Sequence, residues 1–448
     1  MKVARPLGKP FAACGLYPGW SVGDPPDFAD PRDRGLDARE LGRGPVPRSL
    51  GTWGGISLNG RGQAELRYQI GGRQVTDSFK RHRIPNIGTA VVRHISGEAA
   101  DQNRFVVVAE FPGTSVDEGD SSAVFSDASG NAAVVRLLTP SSSARLRTVD
   151  SRYAMVELDA GTAADISISI WQGNKAAVEA ALAAQLPAAE PAKPPADPWP
   201  AAVTTRGTHG ERRSTGDPYI VDRVSLPSPN PWHRNVRPSD IDFFPDGRAV
   251  VVTFDGDVYL VDGLDHDLGA VRWKRVASGF NEPQSVRVRD GEIFVFSRGG
   301  ITRLVMADGP QEFATFYQNF CNRFAQTADT RDFAHSMALT ADGGFLITKG
   351  GQQVNYRSPS AARVLEVSPD GRRVDVFAHG LRNGYLAVHP GTGTVTASDQ
   401  QGHWVPATPV HVASRGDYLG FAPGAPAKTP EPEVKKPPLW LPHRIAQS

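Results

Sequence analysis

A strand-turn-strand unit recurs four times in the second half of the chain, and this repeat constrains the fold more than any other feature. Three copies join two apolar runs through Asp246-Gly247, Asp290-Gly291 or Asp342-Gly343, and a fourth uses Thr392-Gly393. Asp-Gly favours tight hairpins, where both turn positions adopt positive φ. The copies lie roughly 40 to 50 residues apart, the length of a four-stranded propeller blade. The repeat therefore predicts a β-propeller from about Asp240 to Phe421.

The first half of the chain has a different pattern. Between Leu50 and Gln172, short runs of alternating apolar residues are separated by turn residues, as in residues 164–171. This spacing is typical of a β-sandwich. The Ala-rich stretch over residues 175–186 predicts a short helix, and the Pro-rich stretch over residues 187–198 predicts an extended linker.

We therefore predict an all-β chain with an N-terminal β-sandwich-like domain followed by a β-propeller. The expected parts are an irregular segment over residues 1–48, the sandwich-like domain with its terminal helix over 49–186, a Pro/Ala-rich linker over 187–205 and the propeller over 206–448. Fewer repeats are visible than a closed propeller generally needs. We expect a propeller of the six-bladed type that is incomplete at its C-terminal end.

Composition excludes several classes of function. The chain has 49 basic and 48 acidic residues, a net charge of +1, which predicts no binding to nucleic acid. The two cysteines, Cys14 and Cys321, form neither a zinc motif nor a disulfide framework, and no CxxCH motif would attach a c-type haem. No apolar run reaches the about 18 residues of a membrane span. The first residues lack the apolar segment of a signal peptide.

Polar residues stand where the blades are expected to begin. These positions hold Asp240, Gln284, His335 and the pair Arg382-Asn383. Because the innermost strands of a propeller line its central channel, we expect these side chains to converge on one axial site. Each residue taken alone is more readily explained as a cap for a turn or for buried backbone groups, whereas the set favours a ligand site.

Several segments of this region resemble soluble glucose and aldose dehydrogenases that use pyrroloquinoline quinone. The resemblance is carried by residues 333–343, 349–352, 379–383, 398–402 and 415–421. Residues 379–383 are similar to the family's GxRNP segment, and residues 398–402 are similar to its SEQGP loop. The whole chain resembles large secreted dehydrogenase-like proteins of planctomycete and verrucomicrobial type, of the haem-binding kind, in which a c-type haem domain often follows the propeller.

The resemblance implies a role for individual residues. His335 would be the general base that removes the proton of a substrate hydroxyl group, and Arg382 would hold the quinone oxygens. The other residues expected to bind the cofactor are Gln284, Asn383, Asp399 and Gln400. The backbone at Gln401 and Gly402 would bind Ca²⁺, which prefers oxygen ligands.

The expected function is oxidation of a sugar, a polyol or another hydroxylated compound by a quinoprotein-like dehydrogenase. The resemblance also implies an electron-accepting cytochrome as partner, a periplasmic or secreted location, and a c-type haem only in a region beyond Ser448. One alternative is a non-catalytic module that binds glycans or proteins. Another is a metal-dependent, lactonase-like hydrolase, which needs convergent carboxylates and has Asp240 and Asp399 as candidates.

Overall fold

The computed structural model describes residues 12–32, 46–58, 64–111, 115–139, 142–188, 196–212, 214–216, 218–309, 312–324, 332–351, 360–400, 407–422, 426 and 432–445. These residues divide into two compact units, one up to residue 196 and one from residue 197 onward. Strands dominate both units, so the predicted all-β class is confirmed. The individual domain boundaries stay predictions.

In the first unit, a 3-10 turn at Lys175–Ala177 leads into one short helix, α1 (Val178–Ala183). Among the described residues, no helix is both long enough and apolar enough to cross a membrane. The strands of this unit are β1 (Trp20–Val22), β2 (Gly51–Leu58), β3 (Ala64–Ile70), β4 (Arg73–Ile84), β5 (Gly88–Gly97), β6 (Arg104–Glu110), β7 (Ser115–Glu118), β8 (Ser122–Ser126), β9 (Asn131–Leu137), β10 (Ala144–Val149), β11 (Tyr153–Leu158) and β12 (Ala164–Asn174).

Two antiparallel arrangements of these strands enclose the core of the first unit. One has the order β1-β6-β11-β10, and the other has the order β2-β3-β4-β5-β12-β9-β8-β7. Val106 and Val156 of the first arrangement belong to the same buried cluster as Val135 and Ile168 of the second. Two sheets that share an apolar core form a β-sandwich, as the alternation in the sequence predicts.

The second unit contains β13 (Ala202–Thr205), β14 (Gly207–Thr208), β15 (Arg223–Val224), β16 (Pro238–Phe243), β17 (Ala249–Thr253), β18 (Asp257–Asp262), β19 (Val271–Ser278), β20 (Ser285–Arg289), β21 (Glu292–Ser297), β22 (Gly300–Met306), β23 (Ala314–Cys321), β24 (Ala334–Leu339), β25 (Phe345–Lys349), β26 (Arg363–Val367), β27 (Val374–His379), β28 (Tyr385–Val388), β29 (Val395–Ser398), β30 (Ala407–Ala413) and β31 (Leu439–Pro442).

Strands β16 to β31 form four successive antiparallel meanders, which we call blades 1 to 4. Their orders are β16-β17-β18-β19, β20-β21-β22-β23, β24-β25-β26-β27 and β28-β29-β30-β31. The first strand of each blade lies beside the first strand of the next blade. A separate cluster of buried apolar residues fills the space between each pair of successive blades. The described part of this unit therefore has the propeller arrangement that the repeat predicts.

A side-chain oxygen on the first strand of each of blades 1 to 3 accepts a hydrogen bond from the backbone of the next blade. Asp240 Oδ2 accepts from Val286 N at 3.0 Å, and Ser285 Oγ accepts from Met337 N at 3.1 Å. Ser336 Oγ accepts from Leu386 N, also at 3.1 Å. The N–H groups of Val286, Met337 and Leu386 face away from the other strands of their own blade, and these hydrogen bonds give them a partner. The same bonds fix the register between neighbouring blades.

The Asp-Gly turns join the first and second strands of blades 1 to 3, but only one has the expected geometry. Asp290-Gly291 is a two-residue turn with φ of 53° and 78°. At Asp246-Gly247 and Asp342-Gly343 the loop is longer, and glycine alone has positive φ. There the aspartate carboxylate instead accepts a hydrogen bond from Arg248 N or Gly344 N, as in an Asx turn.

The structure differs from the sequence-based expectation at the end of the predicted linker. Residues 202–205 form β13, which pairs with β19 at the outer edge of blade 1. Lys274 of β19, whose side chain is 4% exposed, forms an ion pair with Asp197 at 2.5 Å. The high proline content of the preceding residues led to the assignment of this strand to the linker. Val203 and Thr205 are half-buried and their neighbours are exposed, which is the alternation of a β-strand.

Replacement of Ser285 by alanine tests the bonds between blades. Ser285 Oγ donates to Asp240 Oδ2 at 2.6 Å and accepts from Met337 N. Loss of the Ser285 hydroxyl group leaves the buried N–H group of Met337 without a hydrogen-bond partner. We therefore expect the free energy of unfolding to fall by about 1–3 kcal/mol. Urea unfolding followed by fluorescence measures this change. Ser225→Ala is the control, because Ser225 is exposed and its side chain has no hydrogen bond to a described residue; it should shift stability by less than about 0.5 kcal/mol.

Candidate functional site

His335 lies at an irregularity near the start of blade 3. Ala334 pairs with Lys349 and Ser336 pairs with Thr348, so His335 is an extra residue between two paired positions. A β-bulge of this kind re-aims a side chain. The imidazole is 7% exposed, and its ring centre lies 5.6 Å from that of Phe333 and 5.9 Å from that of Tyr385.

A chain of hydrogen bonds fixes the tautomer of His335. Asn383 Nδ2 donates to Gln400 Oε1 at 2.6 Å, so Asn383 Oδ1 is the acceptor that faces His335 Nε2 at 2.7 Å. The proton of the neutral ring must then be on Nε2, and the lone pair must be on Nδ1. Nδ1 is buried and has no hydrogen-bond partner among the described residues. The neutral ring therefore carries its one basic lone pair on a buried nitrogen.

The environment keeps this imidazole uncharged. Burial lowers the pKa of His335 to about 4, and the positive charges of Lys349 and Arg298 act in the same direction. The hydrogen bond to Asn383 raises the pKa, but by less than these effects lower it. At neutral pH the ring is therefore neutral, as a general base must be before it accepts a proton.

Asp399 holds the loop that carries Asn383. Its Oδ2 accepts from Arg382 N at 2.6 Å, and its Oδ1 accepts from Asn383 N at 2.7 Å and from Gln400 N at 2.8 Å. Burial raises the pKa of this carboxyl group, whereas the three backbone hydrogen bonds lower it. The described hydrogen bonds of Asp399 all go to backbone N–H groups, and its predicted contact with a cofactor stays a prediction.

Arg382 has a fixed backbone and a half-buried side chain. Its N–H group donates to Asp399, and its carbonyl oxygen accepts from Gly351 N at 2.9 Å. The main chain of Arg382 is thereby held on both sides, next to the residue that contacts His335. The structure thus brings Arg382, Asn383, Asp399, Gln400 and His335 into one neighbourhood.

The other two predicted blade-start residues, Gln284 and Asp240, stand at different positions of the repeat. Gln284 directly precedes Ser285, as His335 directly precedes Ser336, so the two occupy equivalent positions in blades 2 and 3. The side chain of Gln284 has no hydrogen bond to a described residue. Asp240 lies one position further along its strand, and its carboxylate binds Ser285, Val286 and Arg287 of blade 2. Asp240 is thus equivalent to Ser285 and Ser336, so the repeat was aligned one residue out of register, and its place at the channel stays a prediction.

Sequence reasoning missed a buried ion pair beside His335. Lys349 Nζ lies 3.0 Å from Asp332 Oδ1, and the two side chains are 3% and 2% exposed. Lys349 ends the fully buried strand β25, opposite Ala334. A lysine that directly follows a run of buried strand residues was the available signal, since lysine is almost never fully buried unless it is paired.

The predicted calcium site stays a prediction. They contain no group of three or more His, Cys, Asp or Glu side chains that could hold a metal ion. Asp399 is bound to three backbone N–H groups, and Gln400 Oε1 is bound to Asn383. The predicted metal ligands Gln401 and Gly402 lie outside the described residues.

The chain was compared with known proteins. Residues 1–77 match a family described as a domain of unknown function, DUF6797. A search of curated proteins gives no match. One similar solved structure is a Thermus thermophilus protein assigned as an oxidoreductase (glucose dehydrogenase), with 17% identity, a TM-score of 0.34 and coverage of 46% of this chain and 71% of that chain.

A second similar structure is an iodide structure of Carbohydrate-Active Enzymes Family AA12 from Trichoderma reesei. It has 10% identity and a TM-score of 0.35, and the match covers 52% of this chain and 63% of that chain. At this level of similarity, neither structure defines the activity of this chain.

An NMR titration of the His335 ring tests the geometry of the site without any assay of activity. We expect the Nε2–H tautomer and a midpoint of about pH 4. Since this pKa lies below the ordinary value of about 6.5, unfolded chains bind more protons between these values. The contribution of His335 to stability is therefore present above pH 6.5 and is lost as the pH falls toward 4.

Asn383→Asp should move the midpoint of the His335 titration to higher pH, because a carboxylate beside Nε2 stabilises the imidazolium ion. The signals of His266, which is exposed in a loop of blade 1, should not change in the same variant. An unshifted His335 midpoint would contradict the hydrogen bond between His335 and Asn383.

Proposed function

We propose that the second unit oxidises a hydroxyl group of a sugar or a related polyol at His335, with pyrroloquinoline quinone as the hydride acceptor. The observation that carries this proposal is the buried Nδ1 of His335, which has a lone pair and no partner among the described residues. An unpartnered polar atom in a buried position is costly unless a ligand uses it.

His335 supplies the acid-base chemistry of the proposed reaction. Its Nδ1 takes the proton of the substrate hydroxyl group while hydride leaves the carbon atom that bears it. Asn383 keeps the ring in the Nε2–H tautomer, so Nδ1 alone can accept the proton. Pyrroloquinoline quinone, when bound, supplies the two-electron acceptor that the side chains of this chain lack.

The groups around His335 fit a bound quinone better than they fit a calcium ion. Arg382 provides a fixed positive charge next to Asn383, and a guanidinium group suits the carboxylates and carbonyl oxygens of a quinone of this type. The donor oxygens of Asp399 and Gln400 are already hydrogen-bonded. Calcium therefore enters this proposal only through Gln401 and Gly402, and no step of the proposed reaction depends on it.

The described residues give the hydrolase alternative little support. A lactonase-like metal site needs several convergent carboxylates, and the candidates were Asp240 and Asp399. Asp240 binds the backbone and side chains of blade 2, while Asp399 binds the backbone around Arg382. The two carboxylates thus have separate structural roles.

Substitution of His335 tests the proposed reaction in the full chain loaded with pyrroloquinoline quinone. Dye-linked oxidation of a panel of aldoses and polyols measures the activity. His335→Ala should lower kcat by about 10²–10⁴-fold with little loss of bound quinone, because a general base acts on the chemical step. His266→Ala is the matched control, since His266 is exposed and lies in a loop of blade 1; it should leave kcat unchanged.

Substitution of Arg382 separates binding of the cofactor from chemistry. Arg382→Met should release the quinone during dialysis, which the absorbance of the retained cofactor measures. A protein that retains no quinone before any substitution would contradict the proposed function, and so would a His335→Ala protein with full kcat.

A further inference from the structure

We propose that the ion pair between Lys349 and Asp332 is a positioning pair, which holds His335 in place for the reaction rather than stabilising blade 3. The inference rests on the proposed role of His335 as general base, and it adds two residues outside the reacting groups. Lys349 Nζ lies 3.0 Å from Asp332 Oδ1, and the two side chains are 3% and 2% exposed. Both charges are therefore inside the protein.

The pair holds the chain segment that leads into His335. Asp332 lies three residues before His335, and Lys349 ends β25 opposite Ala334. The backbone N–H group that follows Lys349 donates to Phe333 O at 3.0 Å, so the backbone of this segment is also bound to the end of β25. His335 comes next and is the bulged residue. Its position therefore depends on how firmly this segment is held.

Lys349 occupies the position in blade 3 that Asp399 occupies in blade 4. Ser336 and Tyr385 each directly precede the residue whose N–H group bonds to the preceding blade. Lys349 follows the residue paired with Ser336, and Asp399 follows the residue paired with Tyr385. Asp399 accepts from backbone N–H groups of the segment that enters blade 4. A lysine has no acceptor, so Lys349 holds the equivalent segment through the carboxylate of Asp332.

The other blades show that the fold does not need a charge at this position. Thr253 of blade 1 and Ser297 of blade 2 follow the residues paired with Asp240 and Ser285, so they are equivalent to Lys349. Both are buried, and their hydroxyl groups bond to the backbone just beyond their own strands. A buried ion pair gains little net stability, because both charges lose their hydration. The charged residues of this series belong to the two blades that form the site at His335.

The charge of Lys349 also acts on the imidazole. Together with the charge of Arg298, it lowers the pKa of His335. Lys349 belongs to β25 of blade 3, whereas Arg298 follows β21 of blade 2 and pairs with Glu282. Loss of the pair should therefore raise the pKa of His335, because the effect of Lys349 is lost. The other ionisable groups around the site are those of Asp332, Arg382, Tyr385 and Asp399.

Replacement of both partners by neutral residues tests the proposal in the full chain. The double variant Lys349→Met with Asp332→Leu removes both charges, and its urea midpoint should be no lower than that of the unmodified chain. In NMR, the His335 midpoint should rise by at least about 0.5 pH unit, and the Nε2–H tautomer should no longer be the single form. With quinone bound, kcat should fall about 10- to 100-fold with little change in KM, since displacement of a catalytic group slows the chemical step.

Two further double variants complete the test. Lys349→Gln with Asp332→Asn is a second neutral pair, whose amides can bond to each other, and it should reproduce the effects of the first. Lys274→Met with Asp197→Leu is the matched control. Lys274 is also a buried lysine paired with an aspartate, but it lies on β19, the fourth strand of blade 1. This control should leave the His335 midpoint and kcat unchanged.

The NMR measurement needs no quinone, so it tests the pair even if the unmodified chain shows no dehydrogenase activity. The positioning role is overturned if the neutral pairs leave the midpoint and the tautomer of His335 unchanged, or if the control shifts them equally. It is also overturned if both neutral pairs unfold at clearly lower urea than the unmodified chain, because the ion pair would then be a stabilising element of the fold.

Discussion

The second unit depends on one repeated interaction, the hydrogen bond from a backbone N–H group of each blade to a side-chain oxygen of the preceding blade. Asp240, Ser285 and Ser336 supply these oxygens to blades 2, 3 and 4. Apolar packing between blades is not directional, so it does not by itself determine how far one blade slides along the next. The short side chains do so, because each reaches only one backbone N–H group of the next blade. His335 directly precedes Ser336, and its position is therefore tied to the register between blades 3 and 4.

A second set of polar interactions fixes the position of the loop around Arg382 relative to His335. Asp399 holds three backbone N–H groups of that neighbourhood, and Asn383 then contacts both His335 and Gln400. Buried polar networks are costly when they are half satisfied. Here the carboxylate and the amides have partners, and the ring atom left without one among the described residues is Nδ1 of His335.

The sequence predicted the class of fold and grouped His335 with Asn383 and Gln400, which are in contact, but it did not predict the contacts of the individual side chains. Periodicity identified the blades because burial between blades imposes alternation on every strand. His335, Asn383 and Gln400 were found together through their family resemblance, whereas Asp240 and Asp399 were given roles toward a ligand. A carboxylate that binds its own backbone cannot be distinguished in sequence from one that binds a ligand, because the difference lies in contacts between residues distant along the chain. The pair Lys349 and Asp332 was missed for the same reason.

The amide partner of His335 also sets the fate of the transferred proton. An imidazole beside a carboxylate can store a proton as a stable ion pair, whereas the neutral amide of Asn383 stabilises the protonated ring by a hydrogen bond alone. With a pKa of about 4, the protonated ring is a fairly strong acid at neutral pH. Loss of its proton to water at pH 7 is favourable by about 4 kcal/mol, from the difference of about three pH units. In the proposed reaction, the ring would return to its starting state as soon as water reaches it, and turnover would not wait for deprotonation of the enzyme.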